Sequence, residues 1–131
     1  MADAVHGVAK LMGFERLVDN GARSGRAVIH FRPTMDMCHS GGIVQGGFVT
    51  GSIDMAMAHV IMAKQDQGNP LSLEIKVSFL ASARPGLVIS EAWIERMGRS
   101  TAFVEGRLLN EAGEVLAKAS STVKLVSMKR G

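Results

Sequence analysis

The sequence predicts an α+β fold in which an antiparallel sheet wraps around one long buried helix. Three observations predict it. An apolar segment of helical length runs from Ile43 to about Gln65, residues Leu71 to Phe79 alternate between apolar and polar, and turn signals cut the rest into strand-length pieces. With 131 residues, 47% hydrophobic and 21% charged, the chain has the size and balance of one domain, residues 1–131.

The elements follow in order. Ala4 to Met12 reads as a short amphipathic helix, with Val5, Val8, Leu11 and Met12 on one side and Gly13 ending it. Phe14–Val18 and Arg26–Phe31 read as strands across the turn Asp19-Asn20-Gly21. Pro33 opens a loop to about Gly42. From Ile43 the helix is apolar nearly all round, which predicts burial on most sides. Gly68-Asn69-Pro70 closes that segment. In the next strand Leu71, Leu73, Ile75, Val77 and Phe79 share one face, while Ser72, Glu74, Lys76 and Ser78 share the other. Turns at Arg84-Pro85-Gly86, Gly98-Arg99 and Asn110–Gly113 then separate strands over Leu87–Arg96, Thr101–Leu109 and Val115–Val126. Together with Leu71–Phe79 these form an expected four-stranded meander.

Composition narrows the function. The single Cys38 excludes an internal disulfide framework, and the N-terminus lacks the pattern of a signal peptide, so a cytoplasmic location is expected. Ile43 to Ala63 has the length of a membrane span. It carries Gln45, Thr50, Ser52, Asp54 and His59 plus three glycines, which favours a buried helix of a soluble protein and no membrane partner. The net charge is +3, the 15 Lys and Arg residues are scattered, and tyrosine is absent. Nucleic acid, which needs a basic stripe and stacking aromatics, is not expected as a partner.

Asp54 fits its surroundings worst. It lies between Ile53 and Met55 in the most apolar segment, where an unpaired carboxylate costs several kcal/mol or shifts its pKa upward. A bond to backbone or to an arginine is one explanation; a catalytic base or nucleophile is the other. Upstream, Ser40-Gly41-Gly42-Ile43-Val44-Gln45-Gly46-Gly47 leaves unshielded backbone N–H groups at a helix start, which attract negative charge. These glycines either stabilise an oxyanion or simply permit close packing. Asp54 lies eight residues beyond Gly46, so the two are roughly 12 Å apart along a helix. One small reacting centre cannot touch both in one chain. If both act, the site is shared between subunits. Asp36, Cys38 and His39 are metal-ligand types without a recognised zinc spacing, and Asp54 and His59 point about 140° apart on a helix.

At this point the sequence resembles the hotdog-fold acyl-CoA thioesterases of the 4-hydroxybenzoyl-CoA thioesterase superfamily, specifically the phenylacetic-acid-degradation type. The likeness runs from about Met37 to Val126. It rests on Gly41–Gly47, Asp54, Ser72–Leu80, Arg84-Pro85-Gly86, Gly98-Arg99-Ser100 and the closing Ala117-Lys118-Ala119-Ser120-Ser121-Thr122. In that family a His-Gly-Gly element precedes an acidic residue on the central helix. Here Gln45 stands in place of the histidine, before Gly46-Gly47, and Asp54 takes the acidic position. The resemblance implies that the Gly46 N–H binds the thioester carbonyl and that Asp54 activates water or attacks directly. It also implies that His39 and Ser72 help to hold the water, although strand alternation alone turns Ser72 to the polar side. CoA would lie against Gly47, Arg84, Arg99 and Ser100. No metal or cofactor is implied; the partners are acyl-CoA and a homodimer that pairs again into a tetramer. A non-catalytic acyl-CoA or small-ligand binding module on the same fold is the alternative, suggested by Gln45 and His39.

Overall fold

The computed structural model describes residues 7–64 and 68–127. Of the helix expected over Ala4–Met12, residues 4–6 lie outside the described residues, and Val8–Leu11 form a single turn, α1. Gly13 ends it with φ of 79°. A Cβ at Gly13 would lie 2.7 Å from the Arg32 carbonyl oxygen, so both conformation and space demand glycine. Strands β1 (Phe14–Asp19) and β2 (Arg26–Phe31) pair as an antiparallel hairpin. In its turn the Gly21 N–H and the Ser24 hydroxyl hold the Asp19 carboxyl below its ordinary value.

The loop after Pro33 has structure of its own. A 3-10 turn at Met35–Met37 leads into β3 (Cys38–His39), which pairs with β4 (Ile43–Val44). Gly41 and Gly42 join the two with φ of 90° and 71°. Ile43 and Val44 therefore belong to a strand, and the long helix, α2, spans Gly46–Lys64 rather than starting at Ile43.

Four strands follow: β5 (Gly68–Phe79), β6 (Val88–Met97), β7 (Thr101–Asn110) and β8 (Val115–Ser127). Gly68-Asn69-Pro70, expected to close the helical segment, already lies in β5. The six-stranded antiparallel sheet has the order β1-β2-β6-β7-β8-β5. The expected four-stranded meander is thus corrected to three strands, β6-β7-β8, with β5 placed beyond β8 at the far edge. The reason lies in the β5–β6 connection. A tight turn would pair these strands, but the chain instead crosses the end of β8, where Leu80 and Ala81 N–H groups both donate to the Leu116 carbonyl.

The sheet wraps one flank of α2. Val49, Ser52, Ile53, Ala56, Met57, Val60 and Ile61 are buried against it, whereas Gly47, Asp54, Met55, Ala58 and Met62 are exposed or half-exposed. Burial on most sides, expected from composition, is corrected to burial of one flank within this chain. This is the one described helix long and apolar enough to cross a membrane, and its own sheet covers that buried flank. A tertiary hydrogen bond fixes the helix: the fully buried Ser90 hydroxyl on β6 donates to the Ser52 carbonyl at 2.7 Å. Ser90→Ala removes that donor and lowers stability by about 1 kcal/mol, or about 3–6 °C in a thermal melt. An unchanged melt would show that the bond contributes nothing net.

Candidate active site

Gln45 shapes the start of α2. Its carbonyl accepts the Phe48 N–H at 2.9 Å, and its side-chain Oε1 accepts the Gly47 N–H at 2.7 Å. One residue thereby satisfies two of the donors that a helix N-terminus leaves open. The Gly46 N–H, at the first helical position, has no acceptor among the described residues. Beside it opens a cavity of about 440 Å³ lined by His39, Ile43, Val49, Phe79, Leu80 and Ala83 among others. The Phe79 ring lies so close that a Cβ on Gly46 would come within 3.0 Å of it. His39 is exposed, with Nδ1 3.0 Å from the Ser40 carbonyl. A carbonyl only accepts, so Nδ1 donates and a neutral His39 presents Nε2 as an acceptor. Arg84 Nη1 donates to the Gly41 carbonyl at 2.9 Å and reaches the Gly42 carbonyl at 3.5 Å, bracing the glycine loop.

Asp54 is half-exposed, not buried, which corrects the burial expected from its apolar neighbours. Its Oδ1 accepts a 2.7 Å hydrogen bond from the Ser72 hydroxyl on β5. Regular alternation would turn Ser72 away from the helix. The sheet register supplies the difference: Ser72 pairs with Val123 and Glu74 with Thr122, so Leu73 is an extra residue in a β-bulge. The bulge shifts the phase of the strand by one and puts Ser72 on the same face as Ile75 and Val77. Leu71 and Leu73, expected on the buried face, are 49% and 61% exposed.

The candidate residues fall into two groups, one at the start of α2 and one about 12 Å further along it. His39, Gln45, Gly46, Gly47 and Arg84 gather at the start of α2. Asp54 and Ser72 meet further along the helix, toward the sheet end that carries the turn of Arg99 and Ser100. Ser100 lies in that turn, where its carbonyl accepts the Leu125 N–H at 2.9 Å, and Arg99 is exposed. Arg84 precedes the ten-residue β6 and Arg99 follows it, so about 30 Å of strand separates them. Phe79 was read from the sequence only as an inward-facing strand residue. Its place over Gly46 depends on where β5 ends against the helix, and no local pattern signals that. Among the described residues no group of three His, Cys, Asp or Glu side chains could hold a metal.

An antiparallel sheet wrapped around one long helix is the hotdog fold, the scaffold of a large class of thioester hydrolases. The chain belongs to the thioesterase superfamily, whose family model matches residues 41–117. A solved structure from Ralstonia eutropha JMP134, assigned as a thioesterase related to phenylacetic acid degradation, shares 31% identity. It superposes with a TM-score of 0.79 over 89% of this chain and 88% of that one. The PaaI protein of the Escherichia coli phenylacetic acid degradation operon has the same fold, with a TM-score of 0.82 at 17% identity over 96% and 91% of the two chains. An uncharacterized Schizosaccharomyces pombe protein is 30% identical over 95 residues, 72% of this chain. The matched part spans only 51% of that relative's length.

Proposed function

We propose that this protein hydrolyses an acyl-CoA thioester to the free acid and CoA, in a site built by two subunits. The supporting observation is the division of the site. A Gly46 N–H with no acceptor among the described residues opens on a cavity, and a half-exposed carboxylate, Asp54, stands about 12 Å further along the same helix. A partner helix running the other way brings the Asp54 of one subunit to the Gly46 of its neighbour. The edge strand β5 is the natural seam of that dimer: among the described residues it is unpaired on one side, and it exposes Leu71, Leu73 and Phe79. A further pairing of dimers gives the tetramer.

In this reading Asp54 takes a proton from a water held with the help of Ser72 and the partner's His39. The resulting hydroxyl oxygen bonds to the thioester carbonyl carbon, and negative charge collects on the carbonyl oxygen at the Gly46 N–H. The carbon–sulfur bond then breaks, the thiolate leaves, and the proton on Asp54 passes to it. The α2 dipole adds to the field at the oxyanion. Arg84 of one subunit with Arg99 and Ser100 of the other would flank the CoA phosphates, and Gly47 would border the pantetheine arm.

One observation favours the alternative, a binding module without turnover. Gln45 Oε1 takes the Gly47 N–H and thereby lays a partial negative charge beside the oxyanion position. Thiol release from a panel of short, long and aryl acyl-CoAs, with CoA binding measured by calorimetry, separates the two. Turnover on any member supports hydrolysis. Binding of CoA with no thiol release on any member replaces it by the binding module.

A further inference from the structure

We infer that Ser121 is a positioning residue for Asp54, acting through the β-bulge that aims Ser72. This rests on the reading of Asp54 as the base. The inward row of β8 is otherwise apolar next to this point: Ala117, Ala119 and Val123 are all buried. A hydroxyl in that row is costly unless it is bonded. Ser121, 5% exposed, uses its hydroxyl on one acceptor, the Glu74 carbonyl at 2.8 Å. That carbonyl belongs to the residue directly after the bulged Leu73.

Two registers compete at this place. In a regular ladder Leu71 and Leu73 would join the face of Ile75 and Val77, which buries two leucines and is favoured by the hydrophobic effect. Ser72 would then turn outward and Asp54 would lose its hydrogen bond. In the bulged register Leu73 is left exposed, and the Glu74 carbonyl is offered to Ser121 instead. In this second register the buried hydroxyl is satisfied. Ser121 therefore selects the register that faces Ser72 to the carboxylate. The closing Ala117–Thr122 segment, distinctive in the sequence, acquires a purpose here: it carries a single inward hydroxyl at the position that locks the bulge.

The test compares Ser121→Thr with Ser121→Val, side chains of nearly equal shape that differ by the hydroxyl, with Ser121→Ala as the smaller second variant. Loss of the hydroxyl lowers kcat about tenfold with KM within about twofold, as Ser72→Ala does, while threonine retains most of the native rate. Ser72→Ala combined with Ser121→Ala loses no more than Ser72→Ala alone, because both act through one hydrogen bond. Amide hydrogen exchange at Leu73–Ile75, which needs no turnover, accelerates in the alanine and valine variants. Valine as active as threonine, additive losses in the double variant, or unchanged exchange would overturn the inference. Asp54→Asn and Ser72→Ala variants that keep full turnover, beside accelerated exchange in Ser121→Ala, would instead remove the role of Asp54 and leave Ser121 as the lock of the bulge.

Discussion

Asp54→Asn lowers kcat for thioester hydrolysis by about 10²–10⁴-fold while the protein stays folded. The substitution keeps the shape of the side chain and an oxygen to accept the Ser72 hydrogen bond, so what it removes is the capacity to take a proton. Asp54 is half-exposed and makes no ion pair among the described residues, so its replacement costs little stability. Thiol release at saturating substrate beside a circular-dichroism melt measures both. A folded variant with native kcat would end the assignment of Asp54 as the base. The proposed sharing of the site between subunits adds a sharper expectation. Gly46→Val drives a side chain against the Phe79 ring and blocks the other half of the site. Co-expressed with Asp54→Asn chains, it forms mixed dimers that hold one whole site and one doubly damaged site. Random pairing returns about one quarter of native activity from two inactive parents. No recovery in mixed dimers isolated as such would place both halves of the site on one chain.

Gly106→Val has the largest expected effect on stability. Gly106 lies on β7 directly beneath α2. A Cβ there would stand 2.7 Å from Ile53 Cγ2, 3.0 Å from the Glu91 carbonyl oxygen and 3.2 Å from Met57 Cε. Ile53 is fully buried and Met57 nearly so, and the carbonyl is fixed in the sheet. Overpacking of this kind costs about 1–3 kcal/mol, which corresponds to a fall of about 5–15 °C in Tm. Because Ile53 precedes Asp54, the strain also displaces the carboxylate, and kcat falls in the variant at temperatures where it is still folded. A thermal melt and a rate below the transition measure the two effects. A native Tm would mean that the helix does not rest on this glycine.

Local pattern made much of the fold legible. The apolar run with Gly46 at its head and Lys64 near its end marks α2 to within a few residues, and alternating side chains with glycine or asparagine turns mark β6, β7 and β8. Gly41–Gly47, Asp54 and Ser72 stood out as a group through their resemblance to a family pattern, with the roles of the residues still to be tested. What escaped was long-range or depended on one inserted residue. The partner of β5 is set by a connection that crosses β8, which no period-2 pattern records. The orientation of Ser72 is set by the bulge at Leu73, and a shift of one residue exchanges the faces of everything before it. Gln45 looked like a substituted site residue, yet its side chain caps the helix through the Gly47 N–H.

The sequence by itself determined most of the elements and the distance between Gly46 and Asp54 along α2, because helix rise and strand alternation are properties of neighbouring residues. Only the tertiary structure decided which strand lies at the edge, which flank of α2 is covered and which way Ser72 points. Those depend on pairing between segments far apart in the chain, and there the burial of side chains and the satisfaction of individual carbonyls choose among registers that local propensity leaves nearly equal.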